Sequence, residues 1–485
     1  MRHNVLFKTI VLFVFALFLA ATPVHAKKKK GQDKGYRFTL FIHGTQDSVM
    51  YMGNYYAGST YAIDTAHRNS KGLFVFEDKE RKLLPGLYFF SNPQGTYVEF
   101  AVHGDEKLDF QFETEDPGWQ THMRVRGSKE NEIMFKYHQA NRIAYRIIDS
   151  AQSALPHTMS AADSAAFKEF RHKQLQRLDS IKEDFIAKYP NSMLSLLMNA
   201  TREVMVPKRD SLGNELPMRD RWEYYMDHYW DYCRLDDEAM VRTPEMIFHK
   251  RLTEYLDVNL KNAPAETIIE YVDKLIARAK PAHENFKYLV HTIATKYLQS
   301  NVMSYDAIYV HMVKEYIGAG LCDWMPPSAI DENVKRANIW DNLLIGKVAP
   351  ELIMKDANGQ IHSLHQMGGK YKLLVFWSPT CGHCKTIIPD LYRIYTQYRD
   401  KYDITAFAIL SEPDDATRPK WHEFIKDKGL NWLNIDGGEA NIDWHEVYDI
   451  ITTPQIYLLD KDNKILAKKL NAETFEQVLK ALEGF

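Results

Sequence analysis

Cys381 and Cys384 lie three residues apart in the run Val375-Phe376-Trp377-Ser378-Pro379-Thr380-Cys381-Gly382-His383-Cys384-Lys385. Two thiols at that spacing can interconvert between a dithiol and a disulfide. The nucleophile in such exchange is the thiolate, so one of the pair must ionise well below the roughly 8.5 of a free thiol. The flanking sequence suits that need. Leu373 to Trp377 is a short apolar run with strand character, and Ile388, Leu391, Tyr392 and Tyr395 give helical spacing over Lys385 to Asp400. Cys381 is therefore expected at a helix N-terminus, where unpaired N–H groups and the helix dipole favour an anion. Gly382 and His383 are the expected redox-tuning pair. A protonated His383 would stabilise the Cys381 thiolate and make the disulfide easier to reduce, which leans towards the oxidising end of the range.

Blander readings of the pair are a zinc site, a structural disulfide or two incidental core cysteines. Zinc needs a second Cys or His pair, and the remaining cysteines, Cys233 and Cys322, stand singly far upstream. His283, His291 and His311 show no metal spacing. No metal and no cofactor is expected, because the dithiol itself carries the electrons. A second motif lies downstream: in Thr452-Thr453-Pro454-Gln455-Ile456-Tyr457-Leu458-Leu459-Asp460, Pro454 precedes a strand, and Lys461 to Asn463 reads as a turn into another strand at Ile465 to Lys469.

Residues 345–485 together resemble the thioredoxin-fold domain of the periplasmic TlpA and ResA type. The resemblance rests on Gly346-Lys347-Val348-Ala349-Pro350-Glu351-Leu352, Asp356-Ala357-Asn358-Gly359-Gln360, the Phe376-Trp377 pair, Pro389 eight residues past Cys381, and Thr453-Pro454 at the place of the family's cis-proline loop. It implies that Cys381 is the attacking thiol, Cys384 the resolving thiol, and Thr453 and Pro454 the contact with the substrate backbone. The sequence departs from the family in its acids. Thr380 and Val375 replace the tryptophan and buried aspartate of thioredoxin, and Ile387 and Ile388 occupy the stretch where ResA-like proteins carry a glutamate. Glu412, at the end of the next strand, is the remaining candidate for taking the proton of Cys384, although a surface role is commoner for a glutamate.

The N-terminus bears on compartment. Arg2 and Lys8, the apolar stretch Thr9 to Ala21 and the small-X-small site Val24-His25-Ala26 read as a cleaved secretory signal over residues 1–26, hence a periplasmic protein. The run Lys27 to Lys30 resists translocation, and an uncleaved anchor is the alternative, with an apolar stretch shorter than the roughly 20 residues a span prefers. Without Arg2 and Lys8 the chain has 59 basic against 64 acidic residues, a formal charge of −5. It offers no basic face for nucleic acid. In an oxidising compartment Cys233 and Cys322 could pair, or remain buried free thiols.

The expected architecture is multidomain: an antiparallel β-sandwich over 36–128, an all-α domain over 129–340 and the α/β thioredoxin fold over 345–485. The sandwich follows from alternation in Tyr36 to Ile42, Gly72 to Phe76, Gly86 to Phe90 and Leu108 to Phe112. Leu84-Pro85-Gly86-Leu87-Tyr88 and Arg126-Gly127-Ser128-Lys129-Glu130-Asn131 resemble an uncharacterised β-domain that precedes thioredoxin domains in Bacteroidetes exported proteins. Helices are predicted over Asp163 to Tyr189, Pro244 to Leu260, Ala265 to Ala279 and His283 to Leu298. The aromatic stretch Trp222 to Tyr232 reads as core.

The function expected from these features is exported thiol–disulfide exchange on cysteine-containing proteins, with oxidase or isomerase work favoured over reduction. The partners are those proteins and a membrane-bound electron donor or acceptor. An alternative is an envelope binding or assembly protein in which the first two domains recognise a partner and redox activity is secondary. A thiol peroxidase is disfavoured, since Leu374 stands where the proline of Pro-X-X-X-Thr-X-X-Cys would be.

Overall fold

The structure, a computed structural model, describes residues 35–155, 160–356 and 358–484. The expected leader over residues 1–26 lies outside the described residues. The described chain divides into two compact units, one formed by 35–52, 63–84 and 89–155 and the other by 53–62, 85–88 and 160–484.

The N-terminal strands are β1 (Tyr36–His43), β2 (Val49–Tyr56), β3 (Ser59–His67), β4 (Leu73–Asp78), β5 (Gly86–Ser91), β6 (Tyr97–Val102), β7 (Asp109–Glu115) and β8 (Arg124–Arg126). They form two four-stranded sheets, ordered β4-β1-β7-β8 and β3-β2-β5-β6. These sheets are not wholly antiparallel, as the expected sandwich would be. β1 pairs with β7 in parallel, Phe38 opposite Phe110, so the connection between them crosses over rather than turning back. Strict alternation on β1 buries Tyr36, Phe38, Leu40 and Ile42, and Phe38 packs on Phe100 and Phe110 at centroid distances of 5.3 and 5.0 Å.

Helix α1 (Lys129–Ser153) belongs to the sandwich's unit, so the expected 128/129 boundary falls inside a packed body. The reason is local. Gly127, at φ +88°, lies where a Cβ would be 2.5 Å from the Asp109 carbonyl; Ser128 caps the helix; and fully buried Asn131 both accepts from the Ala101 N–H (2.7 Å) and donates to its carbonyl (2.8 Å).

After the strand segments 53–62 and 85–88, the second unit continues with helices α2 (Ala161–Lys188), α3 (Met193–Ala200), α4 (Met218–His228), α5 (Phe248–Glu254), α6 (Ala265–Ala279), α7 (His283–Leu298), α8 (Asp306–Met312) and α9 (Pro327–Asn342). The predicted helix from Pro244 starts only at Phe248 and ends in a π-turn, Tyr255–Asn259. Tyr229 and Trp230, from the aromatic stretch, are buried, with Tyr255 packed 5.1 and 5.3 Å away.

The rest of the unit comprises β9 (Ile353–Asp356), β10 (Ile361–Ser363), β11 (Tyr371–Trp377), α10 (Gly382–Tyr402), β12 (Ile404–Leu410), α11 (Arg418–Lys428), β13 (Leu433–Ala440), α12 (Trp444–Val447), β14 (Gln455–Asp460), β15 (Ile465–Lys468) and α13 (Ala472–Leu482). Its sheet runs β10-β9-β13-β12-β11-β14-β15, with β11 parallel to β12 and antiparallel to β14. Every residue of β11 is buried because both faces are covered. Leu373, Val375 and Trp377 join the core beneath α10 and α13, while Leu374 and Phe376 join the opposite core with Trp444, Tyr448 and Tyr457. A central strand fixed on both faces is what delivers Cys381 to one place.

Candidate functional site

The site is built where β11 ends. Trp377 fills the core, Ser378 is fully buried, and Cys381 is the N-cap residue of α10. Its N–H donates to Ser378 O (3.3 Å), and its carbonyl accepts from the Lys385 N–H (3.3 Å), so the first turn starts at the reactive residue. Pro389 lies within α10, where its missing N–H leaves the Lys385 carbonyl without its usual helical donor. Below the surface, Cys384 is fully buried against the core that holds Ile388, Leu391 and Trp421.

The two thiols are driven apart in acidity. Partial burial alone would raise Cys381, but the N–H groups of Cys384 and His383, a hydrogen bond from the Thr453 side chain and one from the Cys384 thiol together lower it below its ordinary value. Burial pushes Cys384 up to about 12, and the neighbouring Cys381 adds to the rise. One group is thus prepared to attack and the other to remain protonated until needed. The Cys381 Sγ also lies 3.2 Å from Thr453 O, and the Thr453–Pro454 peptide is cis and leads straight into β14. The predicted residues Cys381, Cys384, Thr453 and Pro454 therefore meet in space, although Thr453 comes 69 positions after Cys384 in the sequence.

Gly382 and His383, the expected redox-tuning pair, lie exposed in the first turn of α10. A Cβ at Gly382 would meet nothing within 4 Å. The His383 ring is exposed, and what this residue brings to the sulfur is its backbone N–H.

Residues 345–468 match the AhpC/TSA family, and residues 197–336 match a domain of unknown function, DUF5106. The thiol-disulfide oxidoreductase ResA of Bacillus cereus is 30% identical over 146 residues, which span 30% of this chain and 78% of the relative. The chain belongs to the ResA-type thiol-disulfide oxidoreductases. Among solved structures, a domain of a possible thiol-disulfide isomerase from Cytophaga hutchinsonii is 36% identical, covering 29% of this chain and 94% of that one with a TM-score of 0.27. A thioredoxin-like protein from Bacteroides caccae is 22% identical, covering 58% and 99% respectively with a TM-score of 0.47.

This oxidoreductase carries a feature at its site that its cysteine motif does not announce. One oxygen of Glu412 accepts from both Ser378 Oγ and Thr380 Oγ1, each at 2.7 Å, tying down the turn that leads into Cys381. Glu412 itself is exposed. The positions where the family pattern would place an acid are apolar here: Val375 and Ile388 are fully buried and Ile387 partly so. The only advance signal for Glu412 was its place at a strand end, level with the end of β11. Cys233 and Cys322 are buried free thiols, and burial raises them to about 11 and about 12. Among the described residues no group of three or more His, Cys, Asp or Glu side chains is placed to hold a metal ion, and no helix is long and apolar enough to cross a membrane.

Proposed function

We propose that this enzyme is an exported thiol–disulfide oxidoreductase that works through the Cys381–Cys384 pair on cysteine-containing exported proteins. The observation that carries the reading is the geometry of the pair: Cys381 at the N-cap of α10 and 3.2 Å from Thr453 O beside the cis Pro454, with Cys384 fully buried in the same first turn, surroundings that push the two acidities apart. In the reducing half-reaction the Cys381 thiolate attacks a substrate disulfide, a new S–S bond forms, and one substrate thiolate leaves. The Cys384 sulfur then attacks Cys381, its proton passes to the departing thiolate, and a second substrate thiol is released. The reverse sequence oxidises a substrate dithiol. The substrate chain lies along Thr453 and Pro454. No cofactor is required, and a membrane-bound donor or acceptor resets the pair.

Oxidase or isomerase work is favoured over reduction. Hydrogen bonds that favour the Cys381 thiolate stabilise the reduced pair, and a stabilised dithiol makes its disulfide the better oxidant. The apolar stretch Thr9 to Ala21 followed by Val24-His25-Ala26 supports export to the periplasm. The test equilibrates the purified protein in graded glutathione buffers and traps free thiols. The expected result is reversible formation of one disulfide, absent in Cys381→Ser, with a potential nearer the roughly −180 mV of disulfide isomerase than the roughly −270 mV of thioredoxin. A pair that does not titrate overturns the reading, and a value near thioredoxin's reverses the direction. N-terminal sequencing of the exported protein should begin at Lys27.

A further inference from the structure

We propose that helix α9 sets the substrate-side loop of the redox site, with Trp340 and Asp449 as positioning residues for Thr453. This rests on the dithiol reading above and adds to it a role for the helical part of the chain.

The geometry begins at Asp449. Its carboxylate oxygen Oδ2 accepts from Trp340 Nε1 at 2.6 Å, with Arg336 Nε 3.8 Å from the same oxygen. Three residues earlier, Glu446 pairs with Lys335 at 2.6 Å. All three donors lie on one helix, at positions 335, 336 and 340, and so reach the same segment of the thioredoxin-like domain. Asp449 also has φ +49°, in the left-handed region that non-glycine residues seldom occupy. Its N–H donates to Glu446 O, and its carbonyl accepts from the Ile451 N–H at 3.0 Å. The turn at Asp449 is therefore fixed both by its own backbone and by a helix distant in sequence.

From that turn the chain has four steps to Thr453, a reach of roughly 14 Å at full extension. Ile450 packs against the core that holds Phe376 and donates its N–H to His445 O at 2.9 Å, whereas Ile451 (70% exposed) and Thr452 beyond it stand out in solvent. The loop is anchored at Asp449 and Ile450 on one side and at β14 on the other. Thr453 O, 3.2 Å from the Cys381 sulfur, lies between those anchors. The upstream anchor is itself packed: the Trp340 ring lies 5.0 Å from that of fully buried Tyr309 and 5.8 Å from the Lys469 ammonium, which donates to Ser300 O at 2.6 Å.

Two substitutions separate positioning from mere support. Trp340→Phe keeps an aromatic ring against Tyr309 and removes the donor. Asp449→Gly keeps the left-handed backbone and removes the acceptor. Each full-length variant is compared with the parent on two substrates, reduced unfolded ribonuclease A in a glutathione buffer and glutathione disulfide alone. The expected result is a rise of about two- to tenfold in KM for ribonuclease in both variants, with the glutathione exchange rate and the Cys381–Cys384 potential close to the parent's. An unchanged KM in both variants overturns the proposal. So does an equal loss on both substrates, which would mark general damage to the site. If the parent exchanges with neither substrate, the dithiol reading falls first and takes this one with it.

Discussion

At the residue scale, the consequence of the site is a pH profile. The folded pKa of Cys381 is depressed below its ordinary 9.0, so its contribution to the stability of the reduced protein is complete above 9.0 and is lost as pH falls through the lowered value. Cys384 has the opposite sign: its contribution is complete below 9.0 and is lost as pH rises towards about 12. Between those limits the reduced pair carries one proton rather than two. The slope of the redox potential against pH should therefore halve as pH rises through the Cys381 value, which a titration series in glutathione buffers would record. Alkylation with iodoacetamide at neutral pH should modify Cys381 and spare buried Cys384. In Cys384→Ser the first step should proceed and stop, leaving a mixed disulfide on Cys381 visible as an added mass on a non-reducing gel. Equal alkylation of the two thiols would contradict the assignment of attacker and resolver.

At the scale of elements, the turn between β11 and α10 depends on Glu412. Two hydroxyls donate to one oxygen, and a glutamine carbonyl could accept from both, so Glu412→Gln should leave the melting temperature nearly unchanged. Glu412→Ala leaves buried Ser378 without that acceptor and should destabilise by about 1–2 kcal/mol, measured by thermal unfolding of the reduced protein. Elements of this kind also show where reading the sequence succeeded. β11 and α10 were legible because apolar residues cover the strand on both faces and recur at helical spacing beyond Cys384. Helices α6 and α7 were legible for the same reason, with Ile268, Tyr271, Val272, Leu275 and Ile276 all facing the core. β3 escaped notice because it is an edge strand whose first four residues are exposed, and β2 because Met50 and Met52 alternate with tyrosine and glycine rather than with polar residues. The parallel pairing of β1 with β7 could not be read from either strand, since strand alternation carries no direction. The meeting of Thr453 with Cys381 was legible only through family resemblance. The bond from Trp340 to Asp449 gave no signal, because a tryptophan at a helix end looks the same whether it packs or donates.

At the scale of the whole molecule, the helices before residue 343 and the sheet after it share a buried charge pair. Lys468, on β15, and Asp306, at the start of α8, form an ion pair with both side chains almost wholly excluded from solvent, and Lys468 Nζ also donates to Leu343 O at 2.6 Å. Burial lowers the Lys468 pKa despite the nearby aspartate. A pair so placed gives little net stability when intact, because desolvation offsets the attraction, yet removing one partner leaves an uncompensated charge in the interior. Asp306→Ala should therefore destabilise the second unit by about 3–5 kcal/mol, while the double variant Asp306→Ala with Lys468→Met, which removes both charges, should recover much of that loss. The measurement is calorimetry on the three full-length proteins. If the helices and the sheet form one cooperative body, Asp306→Ala lowers a transition they share, and the signals of Trp340 and of the Cys381 region should melt together. If Asp306→Ala instead splits that transition, with the thioredoxin-like sheet melting unchanged, then the two parts fold independently and the pair only joins them. The first result is expected, because Leu343 already packs in the same core as Phe376 and Tyr457, so the charge pair sits beside a core shared by the helical segment and the central strand that carries the cysteines.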